Sequence, residues 1–476
     1  MKASPRQRLP LSSACVLLIS GCMVGPSYQV PQSAQINSSA ARQAFVTSGD
    51  PAFSDTTAPQ SWWRLYEDHR LDELVEDALR SNTDLRQADA NLERSRAALK
   101  QMQSLRQPSV ALNAGVQYTQ LAGEQYLQPI TPPRTTYYDT ELTVGYDLDL
   151  FGGIRRGIEA ARADDEAVEA ARDLARVNVA AETIRAYVDA CGAGMQLEAA
   201  FRVLSAQQES LALTERLFQG GRAIDLDVTR TRQLVDQQTG VIPSLEAARR
   251  NAMFRLATLT GKPPALFARD LETCASPPRL TRTLPVGDGA ALLKRRPDVR
   301  RAERQLAAAT ANIGVQAAQL YPDIAIGIPA GSIGAARDAY TSPTNFYGIG
   351  ALLKWEANQS AARARVEQAK ASAKLSLANF DGVVLGALRE TETALNIYVH
   401  DLEREDSTRR ARDEAERAVR DSERLQGAGR ATLLAVIDSQ RSYATSEQTL
   451  AQLETALAED QVALFLALGG GWESAP

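Results

Sequence analysis

ERLFQGGRAIDLDVTRTRQLV at residues 215–235 and ERLQGAGRATLLAVIDSQRSY at residues 423–443 open on the same three residues and share Gly-Arg-Ala at 221–223 and 429–431. The offset is 208 residues, and it holds far beyond these windows. Backwards it pairs Glu182 and Thr183 with Glu390 and Thr391, Asp173 with Asp381, and Arg155 with Arg363. Forwards it pairs Leu245 and Glu246 with Leu453 and Glu454, and Gly261 with Gly469. Further upstream, LRSNTDLRQADANLERSRAAL at 79–99 matches LKRRPDVRRAERQLAAATANI at 293–313 with an offset of 214, so one six-residue length change separates the two aligned blocks. An internal repeat governs the reading of a fold before any local propensity does. One unit is written twice.

Each copy reads as helix, two strands, long helix, helix. The first helix begins near Asn82-Thr83-Asp84 in copy one and at Arg296-Pro297-Asp298 in copy two, both suited to a helix start, and ends before Pro108 or Pro322. The period then falls to two residues. Val110, Leu112, Ala114, Val116 and Tyr118 alternate with Ala111, Asn113, Gly115 and Gln117, and a second strand follows in TYYDTELTVGYDLDLF. Copy two offers DIAIGIPAGSIG and NFYGIGALLKW. Helices without an obvious stop are predicted over about 154–218 and 362–426, each roughly 100 Å long at 1.5 Å per residue. Such lengths need lateral partners, which shorter helices near 72–106 and 226–260 would supply by coiled-coil-like packing. Gly192 and Gly194 mark an expected weak point in the first long helix.

The N-terminus reads as export followed by lipidation. Lys2, Arg6 and Arg8 precede an apolar run from Leu9 to Ile19 that is too short to span a bilayer, and the run ends Leu18-Ile19-Ser20-Gly21-Cys22. That ending resembles a bacterial lipobox, which implies S-diacylglycerol and N-acyl groups on Cys22; Met23 rather than Asp implies sorting to the outer membrane. The expected division is a signal segment 1–21, a lipid-anchored stretch 22–60, and repeats 61–271 and 272–476. Loss of the signal moves the formal charge from −5 to −8, which argues against a nucleic-acid partner. Cys191 and Cys274 then remain in an oxidising compartment, with free thiols as the default expectation. With no run of 18 apolar residues, any membrane crossing must be made by strands.

Four strands cannot close a barrel, since bacterial barrels need at least eight. Other chains must pair the open edges. Here GCMVGPSYQVP, WWRLYEDHRLDELVEDAL, YDLDLFGGIRR and RRPDVRRAERQLAAATANIGVQAAQLYP, in this order, resemble the TolC-like outer-membrane factors, specifically their NodT-type lipoprotein branch. The junction KWEANQSAARARV departs from that branch's usual apolar, Gly-rich form. The resemblance implies a mainly α protomer with a membrane β-barrel. Three protomers would close twelve strands, and their long helices would form a periplasmic α-barrel. It implies a passive exit duct for drugs or toxic solutes, docked through a periplasmic adaptor on an inner-membrane pump. Protein or polysaccharide export on the same scaffold, and a trimeric coiled-coil lipoprotein without a pore, are the competing readings.

No enzyme is expected. His69 and His400 stand far apart with no ligands at metal spacing, and neither a phosphate-cradling loop nor a nucleophile motif occurs. No cofactor beyond the lipid on Cys22 is implied. The expected functional residues lie where each copy reverses, at Gly220-Gly221 and at Gly427-Ala428-Gly429. Just beyond lie Asp225 and Asp227 in copy one and Leu434 and Asp438 in copy two; the family resemblance implies a periplasmic constriction at the second-copy positions, with Leu434 as an apolar collar, Asp438 as an acidic ring, and Asp227, Arg222 and Arg430 as tethers. Ordinary solvated charges at helix starts are the alternative.

Overall fold

The repeated helix starts are set by polar caps. In the computed structural model, which describes residues 23–127, 129–280 and 282–470, α1 (His69–Ser81) begins because the Asp68 carboxylate accepts the N–H groups of Arg70 and Leu71. Leu71, Leu74, Val75 and Ala78 make its buried stripe. The single helix expected over 72–106 is broken at Asn82, whose backbone is extended. Its side chain accepts from the Asp84 and Leu85 N–H groups and donates to the Leu259 carbonyl at 3.1 Å, starting α2 (Thr83–Ser104). Copy two is broken at the matching place. There α5 (Gly289–Arg295) gives way at Arg296 to α6 (Pro297–Ala318), because a residue before proline is pushed out of helical geometry. Arg296 donates to the carbonyl of Ala467, the residue that the 208 offset pairs with Leu259. Different side chains close the same joint.

Between these helices and the long ones lie the strands: β1 (Phe53–Ser54), β2 (Ser109–Thr119), β3 (Thr135–Leu148), β4 (Leu284–Pro285), β5 (Asp323–Ala335), β6 (Asn345–Tyr347) and β7 (Gly350–Lys354). The short β1 and β4 pair parallel, a link between the N-terminal stretch and copy two that the sequence pattern did not suggest. The others form one antiparallel sheet in the order β2, β3, β5, then β6 and β7 end to end along β5. The fourth strand, expected to be continuous over NFYGIGALLKW, is split at Gly348 and Ile349 without losing register. Pro329 lies opposite and has no N–H, so it accepts from the Gly348 N–H but returns no bond.

Register aligns the faces. Val110, Val144 and Ile328 stand in one row, Leu112, Leu142, Ala330 and Tyr347 in the next, so one face is apolar across the sheet. Asn113, Glu141, Asp139 and Gln117 fall on the opposite face. Val110, Leu112, Val116 and Tyr118 are exposed, and β2 and β6–β7 are open edges in the single chain.

The long helices are α3 (Gly153–Gln219) and α7 (Ser360–Gly427), returning as α4 (Asp225–Leu259) and α8 (Leu433–Ala467). Chain contacts divide the protein into two units. One comprises Leu92–Val168 and Ala302–Asn379 with the stretch up to Pro31, and holds the sheet. The other comprises Gln32–Asn91, Glu169–Arg301 and Phe380 onward, and holds the main hydrophobic core. In that core Trp62 stacks on Phe465 with ring centroids 4.5 Å apart, beside Leu71, Ile184, Met253 and Leu457.

Two expectations about α3 are corrected here. Cys191 and Cys274 are not free thiols but a disulfide, closing a sequence separation of 83 residues. Gly192 and Gly194 do not weaken α3, which runs through them unbroken; they let neighbours approach. A Cβ on Gly194 would stand 1.9 Å from the Cys274 carbonyl oxygen, and one on Gly192 would meet the Thr455 side chain at 2.4 Å. The bridge and Gly194 seat the segment that links the repeats against α3, while Gly192 admits α8.

The same segment is held to α7 by charge. Arg279 donates through Nη1 and Nη2 to the two carboxylate oxygens of Glu405, each at 2.6 Å, and Arg409 adds a third bond at 2.7 Å. These guanidinium hydrogen bonds hold the Glu405 carboxyl below its ordinary value. A depressed folded-state value gives stability that is complete above the unfolded glutamate value, about 4.3, and that is lost as pH falls through the folded value. Glu405→Gln should therefore lower the unfolding temperature at pH 7 and flatten its dependence on pH below about 4.3. A variant with an unchanged acid profile would remove Glu405 from the account. Thermal melts across the acid range read both.

Candidate functional site

The reversal points are built alike. In copy one the Arg222 N–H donates to the Leu217 carbonyl at 2.8 Å around Gly221, whose φ is +71°. In copy two the Arg430 N–H donates to the Leu425 carbonyl at 2.8 Å around Gly429, at φ +70°. This 6→1 bond with a left-handed glycine is the Schellman closure of a helix C-terminus. Of the four expected tip glycines, Gly221 and Gly429 carry the unusual backbone. Gly427 still belongs to α7, and Gly220 accepts an ordinary φ.

The returning helices start differently. The Asp227 carboxylate accepts the Ile224 N–H at 3.3 Å, so it serves its own helix start, and the Thr432 hydroxyl does the equivalent for α8 by accepting from Ala435. Arg222, Arg430 and Asp225 are exposed and make no ion pair among the described residues. Leu434 and Asp438 lie one turn apart on an exposed face of α8. Asp438 faces Arg441 at 3.8 Å, with both side chains more than half exposed. The opposite face packs inward: Val436 and Ile437 are buried, and Gln440 donates to Glu423 at 3.1 Å. The 208 offset puts Arg230 where copy two has Asp438. His69 and His400 are exposed beside Glu73 and Glu403.

Cys22 lies outside the described residues, but its neighbours are firmly placed. The Val24 N–H donates to the Phe151 carbonyl at 3.1 Å, while Arg156, fully buried on α3, donates to the carbonyls of Val24 at 3.1 Å and Gly25 at 2.9 Å. Gly25 has φ +86° and leaves no room for a Cβ against the Gly314 backbone; Gly152, at φ +79°, is likewise covered by Met23. This explains the sequence DLFGGIRR. Asp149 accepts the N–H groups of Ile154 and Arg155 to start α3, Gly152 makes the bend, and Arg156 holds the N-terminal strand of chain. The role of Arg156 was missed; its signal was the second arginine in that motif. In copy two the departing junction closes by other means. Trp355 Nε1 and Gln359 Nε2 both donate to the Leu320 carbonyl, at 3.2 and 2.8 Å, and Asn358 accepts the first N–H of α7.

The model for outer membrane efflux proteins matches residues 74–262 and again residues 290–470. The chain belongs to the outer membrane efflux protein family. Nodulation protein T of Rhizobium leguminosarum bv. trifolii is 30% identical over 464 residues, covering 96% of each chain. The pyoverdine export outer membrane protein OpmQ of Pseudomonas putida is 30% identical over 97% of each. The structure of the outer-membrane channel OprN superposes with a TM-score of 0.87 at 33% identity, over 95% of this chain and all of that one. The Campylobacter jejuni channel CmeC, at 18% identity and a TM-score of 0.85, shares the fold. This efflux protein is accordingly an outer-membrane channel component that extends into the periplasm, with a β-barrel part and an α-helical part.

Proposed function

We propose that three copies of this chain form the exit duct of a tripartite pump, receiving drugs or toxic solutes from an inner-membrane transporter through a periplasmic adaptor. The observation that carries this is the sheet. A face that is apolar across the rows of Val110 and Leu112, the polar residues Asn113, Gln117, Asp139 and Glu141 on the face behind it, and two unpaired edges are the make-up of one-third of a barrel. Edges cannot face hydrocarbon unpaired, so β2 of one copy joins the β6–β7 edge of the next, and four strands per chain give twelve. Substrate choice belongs to the pump, because a passive duct leaves selection to it. Residues 61–271 and 272–476 are its two repeats. Purified protein in detergent should have the native mass of a trimer and should form discrete conductances in planar bilayers. A monomeric mass, or a trimer that does not conduct, would overturn the reading.

The mature N-terminus is Cys22 bearing S-diacylglycerol and N-acyl groups. Three chains exceed the two signals that stable anchoring requires. Cys22→Ala should abolish labelling by a palmitate analogue, while efflux falls only in part because the barrel holds the trimer in the membrane. Labelling that persists would exclude this residue as the anchor. The constriction of the duct lies at the tips, with Leu434 as collar and Asp438 as acidic ring. Asp225, Asp227, Arg222 and Arg430 flank it.

A further inference from the structure

The two copies differ in chemistry at one joint. The repeat offsets pair Ala98, Met102, Gly157 and Ala160 with Asn312, Gln316, Arg365 and Gln368. In copy one the joint between α2 and α3 is closed, since a Cβ on Gly157 would stand 2.8 Å from the Met102 methyl carbon. In copy two all four positions are polar, and α6 and α7 leave a groove of about 360 Å³ lined by Asn312, Gln316, Arg365, Gln368 and Ser372. Gln316 has a buried Oε1 without a partner, and Arg365 is exposed and makes no ion pair among the described residues. Arg365 also lines a second cavity, of about 380 Å³, at the ends of β3, β5 and β7. The stacked rings of Phe151 and Tyr321, with centroids 4.5 Å apart, and Trp355 form part of its wall. Its balance of charge is acidic. Asp149 is paired with Arg155 and Asp323 stands opposite Lys354, while Asp147 and Glu356 have no ion pair among the described residues. Each volume falls in the range of small-ligand sites.

The groove lies on the side of its helices away from the N-terminal segment. The Tyr28 hydroxyl donates to Glu303 on α6, and the Gln35 N–H donates to Asp381 on α7. At about 100° per residue, Asn312 and Gln316 fall roughly 180° and 140° from Glu303, and Arg365 and Ser372 roughly 160° and 180° from Asp381. A working duct keeps residues 23–60 of its three copies out of its lumen, so the opposite side, with the groove, faces in. We propose that groove and cavity together hold a small amphoteric solute in transit, its carboxylate on Arg365 and its protonated amine toward Asp147 and Glu356. This rests on the duct reading above. A planar guanidinium without a counter-ion suits a carboxylate through two parallel bonds, Asn312 and Gln368 offer amide donors beside it, and the Gln316 Oε1 accepts an N–H or O–H of the solute. The pump still selects what enters; this site detains one class of it.

Saturation-transfer NMR on the full-length protein in detergent, with 4-(aminomethyl)benzoate as the probe, tests this. The probe carries a carboxylate, a ring and a protonated amine, whereas benzoate and benzylamine each lack one end. Its Kd should lie about ten-fold or more below that of either, because each end adds a charge-assisted contact. Arg365→Gln should raise that Kd by about ten-fold or more. The arginine has no bond within the chain to lose, so an unchanged melting temperature accompanies the loss. Asp147→Asn with Glu356→Gln should bring the amphoteric probe to the level of benzoate without weakening benzoate itself. Absence of saturable binding, equal binding of the three probes, or binding indifferent to Arg365→Gln would overturn the site. None of these arms needs a current. Binding with these dependences in a protein that forms no conductance in planar bilayers would uphold the site and overturn the duct, whereas conductance without binding would overturn the site alone.

Discussion

Replacing Cys191 and Cys274 together by serine should lower stability by about 3–5 kcal/mol, the range for removing a cross-link that closes a long loop. The bridge joins the middle of α3 to the segment between the repeats, with Cys191 fully buried. Without it, that segment relies on the Arg279–Glu405 bonds and on Leu280, whose N–H and carbonyl are both held by the buried Gln461 side chain. For 476 residues, an unfolding entropy of about 2.1 cal/mol/K per residue gives roughly 1 °C per kcal/mol, so the expected drop in unfolding temperature is about 3–5 °C. Circular dichroism of the detergent-solubilised protein reads it, with and without a reducing agent. The double variant melting within about 2 °C of the wild type would show the remaining contacts to be sufficient.

At the proposed constriction, Asp438→Ala should weaken divalent-cation block by about ten-fold or more and lower the preference for cations. In the proposed trimer three carboxylates would stand at one level of a narrow pore and act on the same ion, and a factor of ten needs only about 1.4 kcal/mol. Leu434→Ala should raise the resting conductance, since the exposed leucine is the bulk one turn nearer the tip. Single-channel recording on each variant separates the effects: selectivity follows the aspartate, resting current the leucine. If neither quantity changes in either variant, the constriction lies elsewhere.

The repeat made most of the fold legible, because helix starts, strand alternation and glycine reversals recur at fixed offsets and each copy checks the other. Asn82 and Arg296 illustrate this: chemically unlike, they occupy aligned positions and close aligned joints. What had no echo between copies was hidden. Cys191 and Cys274 have no counterparts, so nothing in their spacing distinguished a bridge from two thiols. Gly192 and Gly194 looked like weak points because a glycine in a helix has the same letter whether it loosens the chain or admits a neighbour; the Cys274 carbonyl that explains Gly194 is 80 residues away. Pro329 could be seen in its strand, but its effect falls on the partner strand at Gly348. At the tips, sequence placed Leu434 and Asp438 on one face, and α8 presents them there; it could not foresee that Asp227 would be engaged by the start of its own helix.

The grip on Val24 and Gly25 bears on what kind of attachment a lipid at Cys22 can be. Many lipidated proteins hang from the bilayer on a slack leader and drift under it. Here the residue after Cys22 lies on Gly152, four residues past the end of β3, and the next is hydrogen-bonded to Phe151 and Arg156. The leash has no length. Acyl chains at that point would enter the inner leaflet beside the rim of the sheet and act as a depth gauge: sinking or tilting the protomer by a few ångströms would drag hydrocarbon into water. Each copy would thus reach its neighbours already levelled, with its open strand edges held at one height.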